Sequence, residues 1–462
     1  MTTRPKPTST QGGLNRRSTA PVEYTTEPKA QEEARHSLQL PGFNHNGHKI
    51  TPGINPEGES GRRGIQPAHM FKIIWISSCN ASSWVNVLWP FVPTAMALFW
   101  ARPEQHLWIF ITSYIAMVPS ANLIGFAGQE LARKLPKVFG VVFETTLGSL
   151  VEIVLFMVLL KHYGNEGVHI IQAAILGSIL ANLLLCLGLC FFFGGLIREE
   201  QTFHDAVSDT GSNLMLVAGM ALVIPAVYAA AVKELLPDAE MLRTEVLRIS
   251  RATAIILLLA FLVYVFFQTR SHHGLFDEIF EHDEQKDRDR ARDMAKPKLT
   301  LSETVLCLAC GITFATLMAI FLVFQIDFIV ERGVKDAFVG LILIPLVEKA
   351  AEHLTAIDEA WDNQMNLALS HVLGASVQTA LLNTPLVVIV GWGLNINMAL
   401  DFKLFDSVVL ILAILVVGGF LRDGKSNYLE GSLCFFVYVL IAVASFYWPN
   451  PAEMTAELGL SE

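Results

Sequence analysis

Long apolar stretches recur along this chain with short polar gaps between them. Windows of about 20 residues, the length a helix needs to cross a bilayer, find apolar runs near residues 83–100, 106–124, 138–160, 168–195, 212–231 and 248–268. After a polar gap come runs near 302–325, 336–357, 366–392, 403–421 and 428–448. Inside lipid only helices and closed barrels satisfy every backbone polar group, so the pattern predicts about 11 membrane-crossing helices. The first run is interrupted by Pro90 and Pro93. Residues 1–70 are rich in Pro, Gly, Thr, Ser, Asn and Gln with few large apolar side chains, which predicts a disordered tail. They also lack the apolar core of a cleavable signal peptide, which leaves the first run as the insertion signal. The second polar stretch, FDEIFEHDEQKDRDRARD from Phe276 to Asp293, mixes both charge signs. It reads as a solvated linker or surface helix, with regulation by a bound cation as the alternative.

Composition agrees with lipid as the solvent: 52% of residues are hydrophobic and 16% charged, against about 25% charged in soluble domains. The net charge of −10 says less than the placement of the basic residues. With the N-terminus in the cytoplasm, 23 Lys and Arg fall in the tail and the loops on that side, nine fall in the loops and span ends on the opposite side, and Lys349 alone lies deep within a run. That is the orientation bias of membrane proteins, and an odd number of crossings puts the C-terminus on the far side. The six cysteines lie in or beside the runs. CLAC at Cys307 to Cys310 has no second pair near it, so small apolar packers are the expectation rather than metal ligands or disulfides.

The two halves repeat one another. GSLVEI from Gly148 aligns with EKAAEH from Glu348, matching Glu152 with Glu352, and LGSILANLLLCLG from Leu176 aligns with LGASVQTALLNTP from Leu373. Each half, taken without the first run, holds five spans, so the second enters the membrane inverted. In such transporters the binding site lies near the bilayer midplane where the repeats meet. Glu152 and Glu352 are then expected to face each other across a pseudo-two-fold axis. A charge at that depth costs at least ~3 kcal/mol on insertion scales, so a carboxylate there is paired, protonated or functional. Two facing carboxylates offer hard oxygen ligands to a cation and, without one, repel and take up protons. With alternating access, that competition is proton/cation antiport. Ser178, Asn182, Ser376 and Gln378 supply candidate supporting oxygens, and Gly177 and Gly374 permit a close backbone approach or a helix break.

Other classes lack their signatures. There is no HExxH for a metalloprotease and no soluble nucleotide domain for a P-loop pump, and an inverted repeat in one chain suits a carrier better than a channel. No enzyme activity, cofactor or nucleic acid is called for. The expected partners are membrane lipid, inorganic cations and protons, and no oligomer is specified.

Several segments carry a family resemblance: GGLIREEQTFHDAVSD at Gly194 to Asp209, LRISRATAIILLLAFLVYVFFQTRSHHGLF at Leu247 to Phe276, LGSILANLLLCLG, AAEHLTAI and PLVVIVGWGLN. Through them, over roughly Trp84 to Trp448, the chain resembles the calcium/proton exchanger branch of the calcium/cation antiporter superfamily. The resemblance implies an eleven-span exchanger moving Ca2+ out of the cytosol against protons, typically into an acidic vacuole. Glu152 and Glu352 take the places of the family's two central glutamates, and His353 matches its histidine. The departures cluster at the same place. Glu144 stands where the family usually has asparagine, Gly148-Ser149 and Glu348-Lys349 stand for its two Gly-Asn pairs, and Gly128-Gln129 for a Thr-Glu.

Helical spacing puts Glu144, Gly148 and Glu152 on one face, and Glu348 with Glu352 on another. Lys349, three residues before Glu352, either neutralises Glu348 and leaves a divalent site, or occupies part of the site and favours Na+ or K+. A cation sensor without turnover is a further alternative. Asp358, Glu359 and Asp362 read as solvated acids at the cytoplasmic interface, with an ion funnel as the alternative. The whole reading is an all-α polytopic membrane protein, placed in the vacuolar membrane by the resemblance. It comprises a disordered cytoplasmic tail (1–70), a first transmembrane helix (71–104), two inverted five-helix repeats (105–270 and 301–449) joined by a charged cytoplasmic linker (271–300), and a short C-terminal tail (450–462).

Overall fold

The computed structural model describes residues 43–449 apart from residues 45–47, 234, 236, 237, 288 and 289. Among these residues ten helices are long and apolar enough to cross a membrane. They are Asn80–Ala101, His106–Ala132, Phe139–Tyr163, Val168–Ile197, Asp205–Val232, Ala239–Ser271, Leu301–Glu331, Met365–Gly393, Leu404–Asp423 and Tyr428–Phe446. The eleventh expected crossing is present in a broken form. Residues 336–348 are helical, Lys349 breaks the pattern at φ −93° and ψ −5°, and Ala350–Trp361 resumes it. Asp336 lies 3.6 Å from His169 at one end of Val168–Ile197, and the Trp361 carbonyl accepts from Arg198 at the other. Residues 336–361 therefore traverse the same depth, and the crossings are numbered spans 1 to 11 in chain order with this one as span 8.

Packing follows the repeat. Span 2 lies on 7, 5 on 10, 3 on 9, 4 on 8, 4 on 11 and 6 on 9. Exchanging the halves, span 2 for 7 through span 6 for 11, maps this set of contacts onto itself. Spans 4 and 9 are central: 89% and 83% of their apolar windows are buried, against 22% for span 6 and 28% for span 11. Span 6 turns Ile256, Leu259, Val263 and Phe266 outward, as a helix facing lipid must. At the centre, a Cβ on Gly177 would overlap the Leu341 carbonyl, and one on Gly340 would meet Ala173. Spans 4 and 8 thus cross through small residues, the usual means of close helix contact in lipid.

Among the described residues four spans contain π-helical turns: Ala181–Cys186, Phe267–Ser271, Val339–Leu343 and Thr379–Asn383. Two of them are followed within two residues by proline, at Pro345 and Pro385. Proline removes a helical donor and crowds the carbonyl one turn back, and a widened turn relieves that crowding. Freed carbonyls find donors: Tyr114 Oη to Leu343 at 2.9 Å and Thr384 Oγ1 to Thr379 at 2.7 Å. The turns in spans 4 and 9 fall at aligned positions, Asn182 corresponding to Thr379, so a matching irregularity lies in the middle of each repeat.

Three elements differ from the expectation. The tail reading lies outside the described residues as far as residue 42, but residues 48–66 are folded. Lys134 Nζ donates to the Gly58 and Leu299 carbonyls, Arg62 pairs with Glu303 at 3.1 Å, and Glu59 is buried, accepting from the Thr51 and Gly61 backbones. Composition misses this because the partners are carbonyls and helix ends rather than an apolar core. The first transmembrane segment is shorter than its expected bounds: residues 71–76 belong to a separate helix, Pro67–Ile76, set off by Ser77 at φ 56°, and the crossing Asn80–Ala101 carries a tighter turn at Asn86–Leu88. The charged linker docks as well. Its helix His273–Lys286 buries Asp283, which accepts from the Asn366 and Leu367 backbones at the start of span 9 and from Asn366 Nδ2.

Candidate functional site

The break at Lys349 decides the geometry of the centre. It separates Glu348, at the end of one helical piece, from Glu352, in the first turn of the next, so the two acids do not share one continuous helical face as their spacing predicted. Lys349 itself points inward. Its Nζ lies 3.0 Å from Glu152 Oε2 on span 3 and 3.3 Å from Glu352 Oε2. The matched glutamates come together as expected, but with an ammonium between them.

Their surroundings are unequal. Glu152 is 1% exposed, and its Oε2 also accepts from Thr379 Oγ1 at 2.9 Å and Asn383 Nδ2 at 2.8 Å, both from the π-helical turn of span 9. Its Oε1 has no hydrogen-bond partner. The Glu352 side chain is 24% exposed and lies against the span 3 backbone where a Cβ on Gly148 would stand. Glu348 is 2% exposed, and neither of its oxygens has a partner. Desolvation makes such an atom costly, so these oxygens mark a polar centre that the fold's own donors do not complete.

The other candidates fall into three groups. Asn182 Oδ1 pairs with His353 Nε2 at 3.0 Å, which ties span 4 to span 8 beside the carboxylates. Ser178 pairs with Thr379 at 3.5 Å. Ser149 Oγ donates to Gln378 Oε1 at 2.9 Å, and Gln378 Nε2 to Thr145 Oγ1 at 2.6 Å, so these two join spans 3 and 9 to each other rather than to a carboxylate. Ser376 turns its hydroxyl back to the Val372 carbonyl of its own helix. Gly177 makes the close approach expected of it. Gly374 does not, since the nearest atom to a Cβ there is Thr145 Cγ2 at 3.8 Å.

Glu144 belongs to a second cluster. His371 Nδ1 lies 2.8 Å from Glu359 Oε2, and its Nε2 lies 3.8 Å from Glu144 Oε2. Glu359 is thus paired rather than simply solvated. This cluster sits in the wall of a cavity of about 250 Å³, also lined by Asn55, Arg133, Glu284 and Asp362, on the face that carries the N-terminal segment and the linker. A smaller cavity of about 40 Å³ lies beyond it, lined by Gly148, Asn182, Glu352 and His353, and Glu144 and His371 line both. The centre is therefore approached from the linker face, with Glu352 exposed toward it and Glu152 behind.

Thr379, Asn383 and His371 were not among the residues singled out from sequence. Thr379 carried a signal as the position aligned with Asn182, and Asn383 lies one helical turn after it. For His371 the sequence offers only the signal of a lone histidine in an apolar span.

The chain matches the sodium/calcium exchanger protein family over residues 105–270 and 303–447. It is 32% identical to the vacuolar calcium ion transporter of Schizosaccharomyces pombe over 80% of this chain and 86% of that protein. It is 30% identical to vacuolar cation/proton exchanger 2 of Arabidopsis thaliana over 81% and 83% respectively. The solved structure of native YfkE shares the fold, with a TM-score of 0.62 at 24% identity, covering 82% of this chain and 100% of that one.

Proposed function

The chain belongs to the sodium/calcium exchanger protein family, and we propose that it exchanges cytosolic Ca2+ for lumenal protons, with Glu152 and Glu352 as the carboxylates that hold both. The observation that carries this reading is the pair of glutamates drawn from opposite halves onto a single buried positive charge. A pocket that gathers an ammonium between two carboxylates is built for cations, and carboxylate oxygens suit a hard divalent ion. Protons neutralise the same oxygens. Either occupant removes the charge that would oppose reorientation through lipid, and a carrier that reorients only when neutralised exchanges one for the other. A relative named for calcium transport and one named for cation/proton exchange support this pairing of substrates.

The protein is an integral membrane protein. We place it in the vacuolar membrane with the N-terminus in the cytoplasm, so that the larger cavity faces the cytosol; the 23 basic residues on that side against nine on the other support this orientation. A monovalent cation is the second reading, favoured by the ammonium of Lys349. The test is proton efflux from acid-loaded proteoliposomes with the membrane potential clamped, as Ca2+, Mn2+, Na+ or K+ is added outside. Ca2+-driven efflux that disappears in Glu352→Gln is the expected result. Efflux driven by Na+ or K+ alone overturns the divalent reading, and retained efflux in Glu352→Gln overturns the site.

A further inference from the structure

Lys349 lies where the cargo of that site must bind, and beside it stands a buried carboxylate, Glu348, that makes no ion pair. A cation held by Glu152 and Glu352 cannot share them with an ammonium 3.0 and 3.3 Å away, because like charges at such distances repel strongly where water is excluded. The ammonium has to leave as cargo enters. It cannot leave unpaired, since an uncompensated buried charge is among the most destabilising groups a fold can carry. Lys349 is 1% exposed, which closes off escape into water without a larger rearrangement.

Glu348 resolves both problems. It precedes Lys349 in the chain, is 2% exposed, and its two oxygens have no partner. Ser178 Oγ, 3.5 Å from Thr379 Oγ1, offers Glu348 a weak hydroxyl contact at most and no countercharge. A buried unpaired carboxylate needs a reason to exist, and a lysine that must periodically give up two other carboxylates supplies one. The backbone allows the exchange, because Lys349 occupies the break between two helical pieces rather than a regular turn. Charge is also conserved: with all four side chains ionised, three carboxylates and one ammonium leave a formal −2, the complement of one divalent ion.

Resting on the assignment of cargo to Glu152 and Glu352, we infer that Lys349 is a tethered cation that competes with the transported ion, and that Glu348 is its alternative counter-ion. The lysine holds the two central glutamates together until cargo displaces it, and it then pairs with Glu348. The pair is a specificity device, because an ion must outcompete a built-in ammonium to bind.

The test is equilibrium binding of radioactive Ca2+ to the purified full-length chain, in a cycle of wild type, Lys349→Gln, Glu348→Gln and the double variant. Competition predicts that Lys349→Gln tightens binding roughly tenfold and that Glu348→Gln weakens it roughly tenfold, while Glu348→Gln in the Lys349→Gln background changes it less than about twofold. Equal weakening by Glu348→Gln in both backgrounds makes Glu348 a direct ligand and overturns the proposal. So does weaker binding in Lys349→Gln, which would make the lysine a brace of the site. If Lys349→Gln does not fold, the 15Nζ resonance of Lys349 is followed in otherwise native protein. It should shift on adding CaCl2 and not in Glu352→Gln, and a resonance insensitive to Ca2+ overturns the proposal. Failure of Ca2+-driven proton flux with this binding cycle intact would fault the exchange reading alone.

Discussion

Gly148 of span 3 and Gly374 of span 9 lie on helices that pack against each other, yet adding one methyl group to each should have different consequences. A Cβ on Gly148 would overlap Glu352 Oε1 at a separation no real contact adopts, whereas a Cβ on Gly374 would meet only Thr145 Cγ2 at 3.8 Å, an ordinary contact. The atom in the way at Gly148 is the far end of a flexible side chain, so the fold can absorb Gly148→Ala by moving the carboxylate rather than the backbone. Restoring normal contact displaces that oxygen by about 1 Å, and a displacement of that size at a reacting centre costs roughly 100-fold. Gly148→Ala should therefore lower Ca2+-driven proton flux by about two orders of magnitude while leaving the thermal midpoint of the detergent-solubilised protein within a few degrees of wild type. Gly374→Ala should change neither. The assay is flux in proteoliposomes, normalised to protein incorporated and read beside a thermal melt. Wild-type flux in Gly148→Ala would refute the argument that Glu352 must lie against span 3 to work. Loss of folding in that variant would refute the claim that the carboxylate is the part that yields.

Two further outcomes follow from named contacts. Thr379 donates to the buried Glu152 carboxylate, and a hydrogen bond to a charged group contributes about 1.5–3 kcal/mol. Thr379→Val should raise the Ca2+ concentration for half-maximal flux at least tenfold, with Thr379→Ser close to wild type; equal behaviour of the two variants would remove Thr379 from the site. At the N-terminal segment, burial pushes the Glu59 carboxyl up, but hydrogen bonds from Thr51 and Gly61 outweigh it and hold the group below the usual carboxylate range. A lowered folded value stabilises docking above the unfolded value, and that contribution is lost as pH falls through the folded one. Hydrogen-exchange protection of the Thr51 and Gly61 amides, corrected for intrinsic rate, should persist at neutral pH and fall only below about pH 4. Protection lost near pH 6 would show that another group controls docking.

The crossings and the repeat were readable because lipid imposes a long apolar period and because acids within it are rare enough to align. Glu152 and Glu352 come together for that reason. The reach from Lys349 to Glu352 three residues on holds at 3.3 Å, but the shared face expected of Glu348 and Glu352 assumed an unbroken helix, and the break at Lys349 is a tertiary choice with no composition of its own. Likewise Thr379 and Asn383 reach Glu152 from a π-helical turn, where the period that makes helical faces predictable is locally lost. Ser149 and Gln378 were expected as supporting groups of the site, and sequence does not say that they would bond one another instead of a carboxylate. The folded residues 48–66 were missed because hydrogen bonds to helix-end carbonyls leave no hydrophobic signature.

The two halves depart from two-fold symmetry at the site itself. Asn182 and Thr379 align, yet Thr379 bonds the central glutamate of the opposite repeat whereas Asn182 bonds His353, and the position aligned with Asn383 is Cys186. Span 9 therefore contributes two donors to Glu152, while among the described residues span 4 contributes no side-chain donor to Glu352. The consequence is unequal access: Glu152 is sealed behind span 9, and Glu352 borders the cavity that opens on the linker face. Two halves built on one pattern but held in different local packings give a path from one side only. Letting the halves trade packings would open Glu152's side and close Glu352's, which is how an inverted repeat supports alternating access. The tethered lysine fits the same logic, since it touches one glutamate from each half and so couples the pocket's occupancy to the element on which the two halves differ.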